Sequence, residues 1–255
     1  MIEFCKRMAK RSVFIDGLIK LKSLWVSPNS QTDEAQIIKK LARRFDAPKF
    51  FVEFGFSGWE FNCSSLINDW RGLLIDGDDY NVKIGKIILR KEIHVEKMWL
   101  TLEGMDYIYK FVNKEKLGVL SVDVDGNDYW FLEKLIGLKP SIIIAEYNSS
   151  FGLKPLTVPY DPLFDRRKKH ESHTYFGASL TALNYLATKN GYSLVEISGN
   201  GVNAFFVRDD LLGIDDIVLK PEFAFREKYF EDGSRPSQQW EAIKHLDFID
   251  VTQHA

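Results

Sequence analysis

Cysteine is nearly absent. Cys5 and Cys63 are the only two in 255 residues, which excludes a disulfide framework and any metal site of thiolate spacing, and suits a reducing cytoplasm. An excess of charge of one sign is also lacking. The chain has 34 Lys and Arg against 36 Asp and Glu, a formal net charge of −2, so nothing draws it as a whole to nucleic acid. No apolar run is long enough to span a bilayer. The N-terminal "MIEFCKRMAKRSVFIDGLIKLKSLWV" has charges interrupting every apolar run and no small-residue cleavage site, so it does not read as a secretory leader. Its minor reading is a membrane-surface segment. Internal repeats, low-complexity tracts and the three-glycine G-x-G-x-x-G loop are missing too. These absences predict a cytoplasmic protein with no nucleic-acid partner and no membrane span, and leave homo-oligomerisation open.

What is present is a strand–helix alternation. Residues 32–45, "TDEAQIIKKLARRF", predict a helix capped by Thr32, with Ile37, Ile38, Leu41 and Phe45 on one face. "KFFVEFG" (49–55), "RGLLIDGD" (71–78), "LGVLSVDVDGND" (117–128) and "PSIIIAEYN" (140–148) are nearly continuous apolar runs ending in acids. That is how strands buried on both faces of a parallel sheet read. Helical patterns fall between or after them at 101–112 and 128–137, and again at 179–191, where Gly191 closes the helix. "YSLVEISG" and "GVNAFFVRDD", joined only by Gly-Asn-Gly at 199–201, demand an antiparallel hairpin. The fold class is therefore α/β: a Rossmann-like, mostly parallel seven-stranded sheet with a C-terminal antiparallel hairpin and helices on both faces. Residues 1–46 are expected to be an N-terminal helical extension, 47–210 the core with an insertion at 149–178, and 211–255 a C-terminal extension.

Open α/β sheets bind ligands beyond the C-terminal strand ends, near the reversal of strand order. Glu53, Asp76 with Asp78, Asp123 with Asp125, and Glu146 occupy those ends. A glycine loop after the first strand, with an acid ending the second about 20 residues on, is how ribose hydroxyls are held. Without three phosphate-cradling glycines, the ligand fits a ribose carrying no pyrophosphate. S-adenosylmethionine (SAM) has a ribose, an ammonium and a sulfonium, and no phosphate.

At these residues the chain resembles the class I SAM-dependent methyltransferases. "FVEFGFSG" looks like their first motif, "GLLIDGD" like their second, and "YSLVEISGNGVNAFFVR" like their closing strands. "LSVDVDGNDYWFLEKL" followed by "AEYN" resembles the FkbM-type branch, largely O-methyltransferases of sugars, polyketides and surface glycans. Phe56 and Ser57 depart from that pattern, which often has small residues there. The resemblance implies that Glu53, Gly55, Phe56, Gly58 and Asn62 serve the methionine end, and that Asp76 holds the ribose beside Gly77 and Asp78. It further implies Thr101 near the adenine and Asp123 at the reacting centre.

The acceptor side is expected in Glu146, Asn148, Tyr175, Asn203 and the basic run Arg166, Arg167, Lys168 and Lys169, which suits an anionic acceptor such as a nucleotide-linked sugar. Phe205 joins them as a pocket wall, whereas Trp59, Phe61, Trp70, Trp99 and Trp130 read as core. His173 is the candidate general base, with Asp123 or Asp125 as the alternative. A magnesium ion would fall to Asp125, Asp128 and Glu146. Two rivals remain: a metal-dependent glycosyltransferase using the Asp123/Asp125 D-x-D, and a non-catalytic methyltransferase-like binding module. An NAD-dependent oxidoreductase ranks lower for want of the glycine loop.

Overall fold

The structure, a computed structural model, describes residues 13–113, 115–229 and 233–253. Cys5 and the first twelve residues of the basic N-terminal stretch lie outside them. Five strands run parallel: β1 (Phe50–Phe54), β2 (Arg71–Asp76), β3 (Ile93–Lys97), β4 (Val119–Val122) and β5 (Ile142–Glu146). A two-residue strand, β6 (Leu156–Thr157), leaves this sheet, and the chain returns to it as β7 (Tyr192–Ile197) and β8 (Asn203–Arg208). The order is β3-β2-β1-β4-β5-β8-β7, with β8 antiparallel to both its neighbours. The mostly parallel seven-stranded sheet with a closing hairpin is thus as expected. Strand order reverses between β1 and β4, the position where such sheets open a crevice.

Because successive strand residues face opposite ways, the apolar runs feed two cores. Val52, Phe54 and Leu120 pack against the helix residues Met105, Ile108, Leu132 and Leu183. Phe51, Leu74 and Ile144 pack on the other face against Ile38, Leu41 and Val82. The helices are α1 (Val13–Ser23), α2 (Glu34–Arg44), α3 (Asp79–Ile88), α4 (Met105–Val112), α5 (Asp128–Leu135), α6 (Arg166–Lys169), α7 (Leu180–Lys189), α8 (Pro221–Ala224) and α9 (Pro236–Ile243). Phe205, expected at a pocket wall, is fully buried in the second core.

Two helix starts differ from expectation. α2 opens at Glu34 with Asp33 in the cap position. Thr32 does not cap it; the buried Glu34 carboxylate instead turns back to accept from the Thr32 backbone N–H (2.7 Å) and hydroxyl (3.0 Å). α4 opens at Met105, because Thr101–Gly104 forms a turn in which the Thr101 hydroxyl accepts from the Gly104 N–H at 3.3 Å.

The C-terminal stretch, unassigned from sequence, forms α8, α9 and β9 (Ile249–Asp250), which pairs antiparallel with β6. A third cluster, Phe151, Val158, Phe164, Tyr175 and Phe176 with Ile243 of α9, fastens the 149–178 insertion to the C-terminal segment.

Candidate functional site

The broken glycine pattern is explained by the protein's own packing. Gly55 ends β1 at φ +77°, and a Cβ there would collide with the carbonyl oxygen of Asp123. Only glycine lets the ends of β1 and β4 close on each other in that conformation. Gly58 lies against Ile84 of α3, where a Cβ would meet the Ile84 Cβ at 2.8 Å. It lines neither cavity described below, so its place at the methionine end is corrected to a packing role.

Beyond the ends of β1 to β4 opens a cavity of about 370 Å³. Part of its lining is apolar, Ile75, Met98, Trp99, Leu100, Val124, Phe131 and Phe164. Part is polar, Asp76, Asn81, Asp123, Asp125, Asn127 and Arg167, and Gly55, Phe56, Ser57 and Gly77 complete it. Asp76 is half-buried and fixed from below: its Oδ1 accepts from the Asp78 N–H at 2.6 Å and from Asn81 Nδ2 at 3.3 Å. Asp78 itself caps α3, accepting from Tyr80 and Asn81 N–H; it positions Asp76 rather than lining the cavity.

A second cavity of about 310 Å³ shares Gly55, Ser57, Asp123 and Asp125 with the first. Apart from Phe61 and Val202, its remaining lining is charged and polar: Glu53, Glu60, Glu146, Asn62, Asn203 and Gln31, with Arg166 and Lys228 as the cations. Glu53 is buried with both oxygens engaged, accepting from the backbone N–H of Asn62 (2.6 Å) and Cys63 (2.8 Å). Burial pushes its carboxyl up to about 7 against the pull of those donors. The same burial, and the Glu53 charge beside it, push the Cys63 thiol up. Asn62 donates on to Ser121 at 3.1 Å. Glu53 therefore holds the start of the 3-10 helix Asn62–Leu66 first and lines the cavity second.

Asp123, Asp125 and Glu146 converge, with one oxygen of each within 4.8 Å of the others. Burial, then the Glu146 charge, drives Asp123 up; burial, then the Asp125 charge, drives Glu146 up. Asp123 keeps some surface open to the cavities, which tempers its shift without reversing it. Two buried carboxyls this close disfavour each other's charge, so both are held above the usual carboxylate range. Asp125 adopts a left-handed conformation, φ +55°, and pairs with Arg166, whose guanidinium lies 4.2 Å from the Phe176 ring centroid. Two buried oxygens in this cavity, Glu146 Oε2 and Asn203 Oδ1, have no hydrogen-bond partner. Native interiors rarely leave such atoms orphaned without a function.

Asp128, expected among the metal ligands, is not in the cluster. Its oxygens accept from Val124 N–H (2.8 Å) and Gly126 N–H (2.9 Å), building the loop that carries Asp125. Burial raises it to about 6 despite those bonds. Asp123 takes its place in the cluster.

Several other expected residues are not brought together. His173 is exposed at φ +54° and lines neither cavity. Tyr175 packs in the third cluster, its hydroxyl bonded to the Asp247 carbonyl. Asn148 is buried in the insertion, donating to the Thr174 and Phe176 carbonyls at 2.7 and 2.9 Å. Lys168 and Lys169 are paired with Asp165 and Asp161 of their own loop, leaving Arg166 and Arg167 as the cavity-facing part of the run. Thr101 sits one residue beyond the lining.

Sequence reasoning missed Met98, Trp99, Leu100, Phe131, Phe164, Gln31 and Lys228. Of the five aromatics read as core, Phe61 and Trp70 are buried, whereas Trp99 is 58% exposed and donates to the Pro162 carbonyl at 2.8 Å. The signal available for it was its place just past the third strand, where a crevice residue belongs.

No family model matches the chain, and no curated protein matches it. Among solved structures, the chain is similar to the N-terminal domain of EvdMO1 with S-adenosylhomocysteine (SAH) bound: 12% identity over 70% of this chain and 80% of that one, TM-score 0.44. It is similar to an O-methyltransferase from Bacillus cereus in complex with SAH: 13% identity over 81% and 98%, TM-score 0.47. It is also similar to a SAM-dependent methyltransferase from Thiobacillus denitrificans in complex with SAH: 14% identity over 74% of each, TM-score 0.39. Likenesses this distant carry no weight on activity.

Proposed function

We propose that the protein is a SAM-dependent O-methyltransferase acting on a sugar hydroxyl, of a nucleotide-activated sugar or a surface-polysaccharide precursor. The observation that carries this reading is the pair of cavities with one common wall. The first matches a nucleoside with a cationic tail: Asp76 lines it for two vicinal hydroxyls, Met98, Trp99, Leu100 and Phe131 offer apolar surface for a base, and Asp123 adds a second acid to the lining. SAM bound there would supply an electrophilic methyl group on a sulfonium, directed at the shared wall of Gly55, Ser57, Asp123 and Asp125.

The second cavity takes the acceptor. Orphaned Glu146 Oε2 and Asn203 Oδ1 are both acceptors, so they call for a ligand rich in hydroxyl or amino donors. Arg166 and Lys228 offer charge for an anionic group at its edge. Three carboxylates are hard oxygen donors, and the unpartnered Glu146 oxygen among them fits a divalent cation held by Asp123, Asp125 and Glu146. Such a cation would supply polarisation of an acceptor hydroxyl. In its carboxylate form Asp123, on the common wall, is the residue that would take the hydroxyl proton as the hydroxyl oxygen takes the methyl group and SAH leaves, in place of the exposed His173. Catalysis then rests mainly on aligning the two ligands across that wall.

A glycosyltransferase using the same D-x-D would have to seat a diphosphate, yet Arg167 is the sole cation among the residues lining the first cavity. Incubation with SAM and a panel of free and nucleotide-linked sugars, read by mass spectrometry, tests the proposal. Gain of one methyl mass with stoichiometric SAH supports it. Manganese-dependent sugar transfer without SAH would favour the glycosyltransferase, and cofactor binding with no turnover would favour the binding module.

A further inference from the structure

We infer that the outer surface of α1 and the turn after it docks onto an anionic membrane surface. α1 is held to the fold by a narrow side: Ile19 is buried, and Asp16 pairs with Lys83 of α3 at 2.5 Å. Around it, Leu18, Leu21, Leu24, Trp25 and Val26 are all exposed, with Trp25 at 85%. Scattered exposed leucines are ordinary, but five large apolar residues within nine positions form a patch. Lys20 is exposed among them, and Lys22 lies 4.6 Å from the Trp59 ring centroid.

Charge identifies the occupant. Among the described residues 13–26 the cations Lys20 and Lys22 face Asp16 alone, and Asp16 is already paired with Lys83. A second copy meeting this face with its own would set Lys20 and Lys22 against their counterparts. Nucleic acid would meet the cations but leave Leu18, Leu21 and Trp25 without an apolar partner. An anionic bilayer satisfies both: leucines at the acyl boundary, tryptophan at headgroup depth, and lysines on the phosphates. Among the described residues no helix is long and apolar enough to cross a membrane, so the contact is with the surface. None of these residues lines either cavity, and the inference does not depend on the chemistry proposed above.

Co-sedimentation of the full chain with phosphatidylcholine vesicles, with and without phosphatidylglycerol, is the test. The wild type should pellet with the anionic vesicles only, and be released when salt rises from about 0.1 M to about 1 M, which cuts the screening length from about 10 Å to about 3 Å. Lys20→Glu with Lys22→Glu should lower the bound-to-free ratio at least about tenfold, and Leu21→Asp with Trp25→Asp should do the same. Both pairs lie at the surface, so each should keep the wild-type melting temperature, and either alone suffices if the other fails to fold. The inference is overturned if the wild type stays in the supernatant with anionic vesicles. It is equally overturned if a folded variant pellets as the wild type does, or if the patch proves to hold a dimer that Leu21→Asp with Trp25→Asp dissolves.

Discussion

The two cavities share four residues and differ in almost everything else. The first joins a well-anchored carboxylate, Asp76, to a largely apolar lining. The second crowds Glu53, Asp123, Asp125 and Glu146 against two cations and leaves two buried oxygens without partners. The first pairs an anchored carboxylate with apolar side chains; the second concentrates charge and leaves polar atoms unsatisfied. On the proposed function, this contrast separates a site for a nucleoside from a site for a polar acceptor with a counter-ion.

The wall between them is the place to break that contrast most severely. Gly55→Ala puts a Cβ into the Asp123 carbonyl at a positive φ, and is expected to destabilise the fold by at least about 3 kcal/mol in urea denaturation. Asp76→Ala should weaken SAH binding about 100-fold, the loss of two charge-assisted hydrogen bonds, while leaving the second cavity's response to divalent cations intact. Asp123→Asn should do the reverse, slowing methyl transfer about 100-fold with SAH affinity within a few-fold of wild type. Saturating magnesium should raise the melting temperature by roughly 5–10 °C at about a hundredfold over its dissociation constant, and Glu146→Gln should abolish that rise.

The pH dependence sharpens the same comparison, because Glu53, Asp123 and Glu146, all raised, line the second cavity, and Asp128, also raised, braces the loop that carries Asp125. Glu53 moves from 4.5 to about 7 and Asp128 from 3.8 to about 6. Between those values the folded state binds more protons than the unfolded one, so stability is greatest below the unfolded value and is lost as pH rises through the folded one. For Glu53 alone this is on the order of 3 kcal/mol. The metal-free chain should therefore melt at a lower temperature at pH 8 than at pH 5.5; a steady rise over that range would contradict the assignment. The smallest effect is expected from His173→Ala, which should leave turnover within about twofold, since the side chain lines neither cavity.

The first cavity was the more legible in the sequence. Its ligand-facing acid, Asp76, ends an apolar strand, and strand ends are readable because burial on both faces forces a continuous apolar run that stops where solvent or ligand begins. Trp99 was lost because aromatic content alone does not distinguish a core ring from a crevice wall. The second cavity was only half legible. Asp123, Asp125 and Glu146 announced themselves as strand-end acids, but that Asp128 would spend both oxygens on its own loop is a matter of backbone geometry no spacing encodes. Likewise Lys168, Lys169, His173 and Tyr175 had the right chemistry in the right segment. Their neighbours Asp161, Asp165 and the aromatic cluster around α9 claimed three of them, and His173 was turned to solvent.

Calorimetric titration of the wild-type chain with SAH tests the central claim most directly. A cavity built for that nucleoside should give saturable one-to-one binding with a dissociation constant on the order of micromolar, near −8 kcal/mol. An absence of binding up to about millimolar SAH would contradict it.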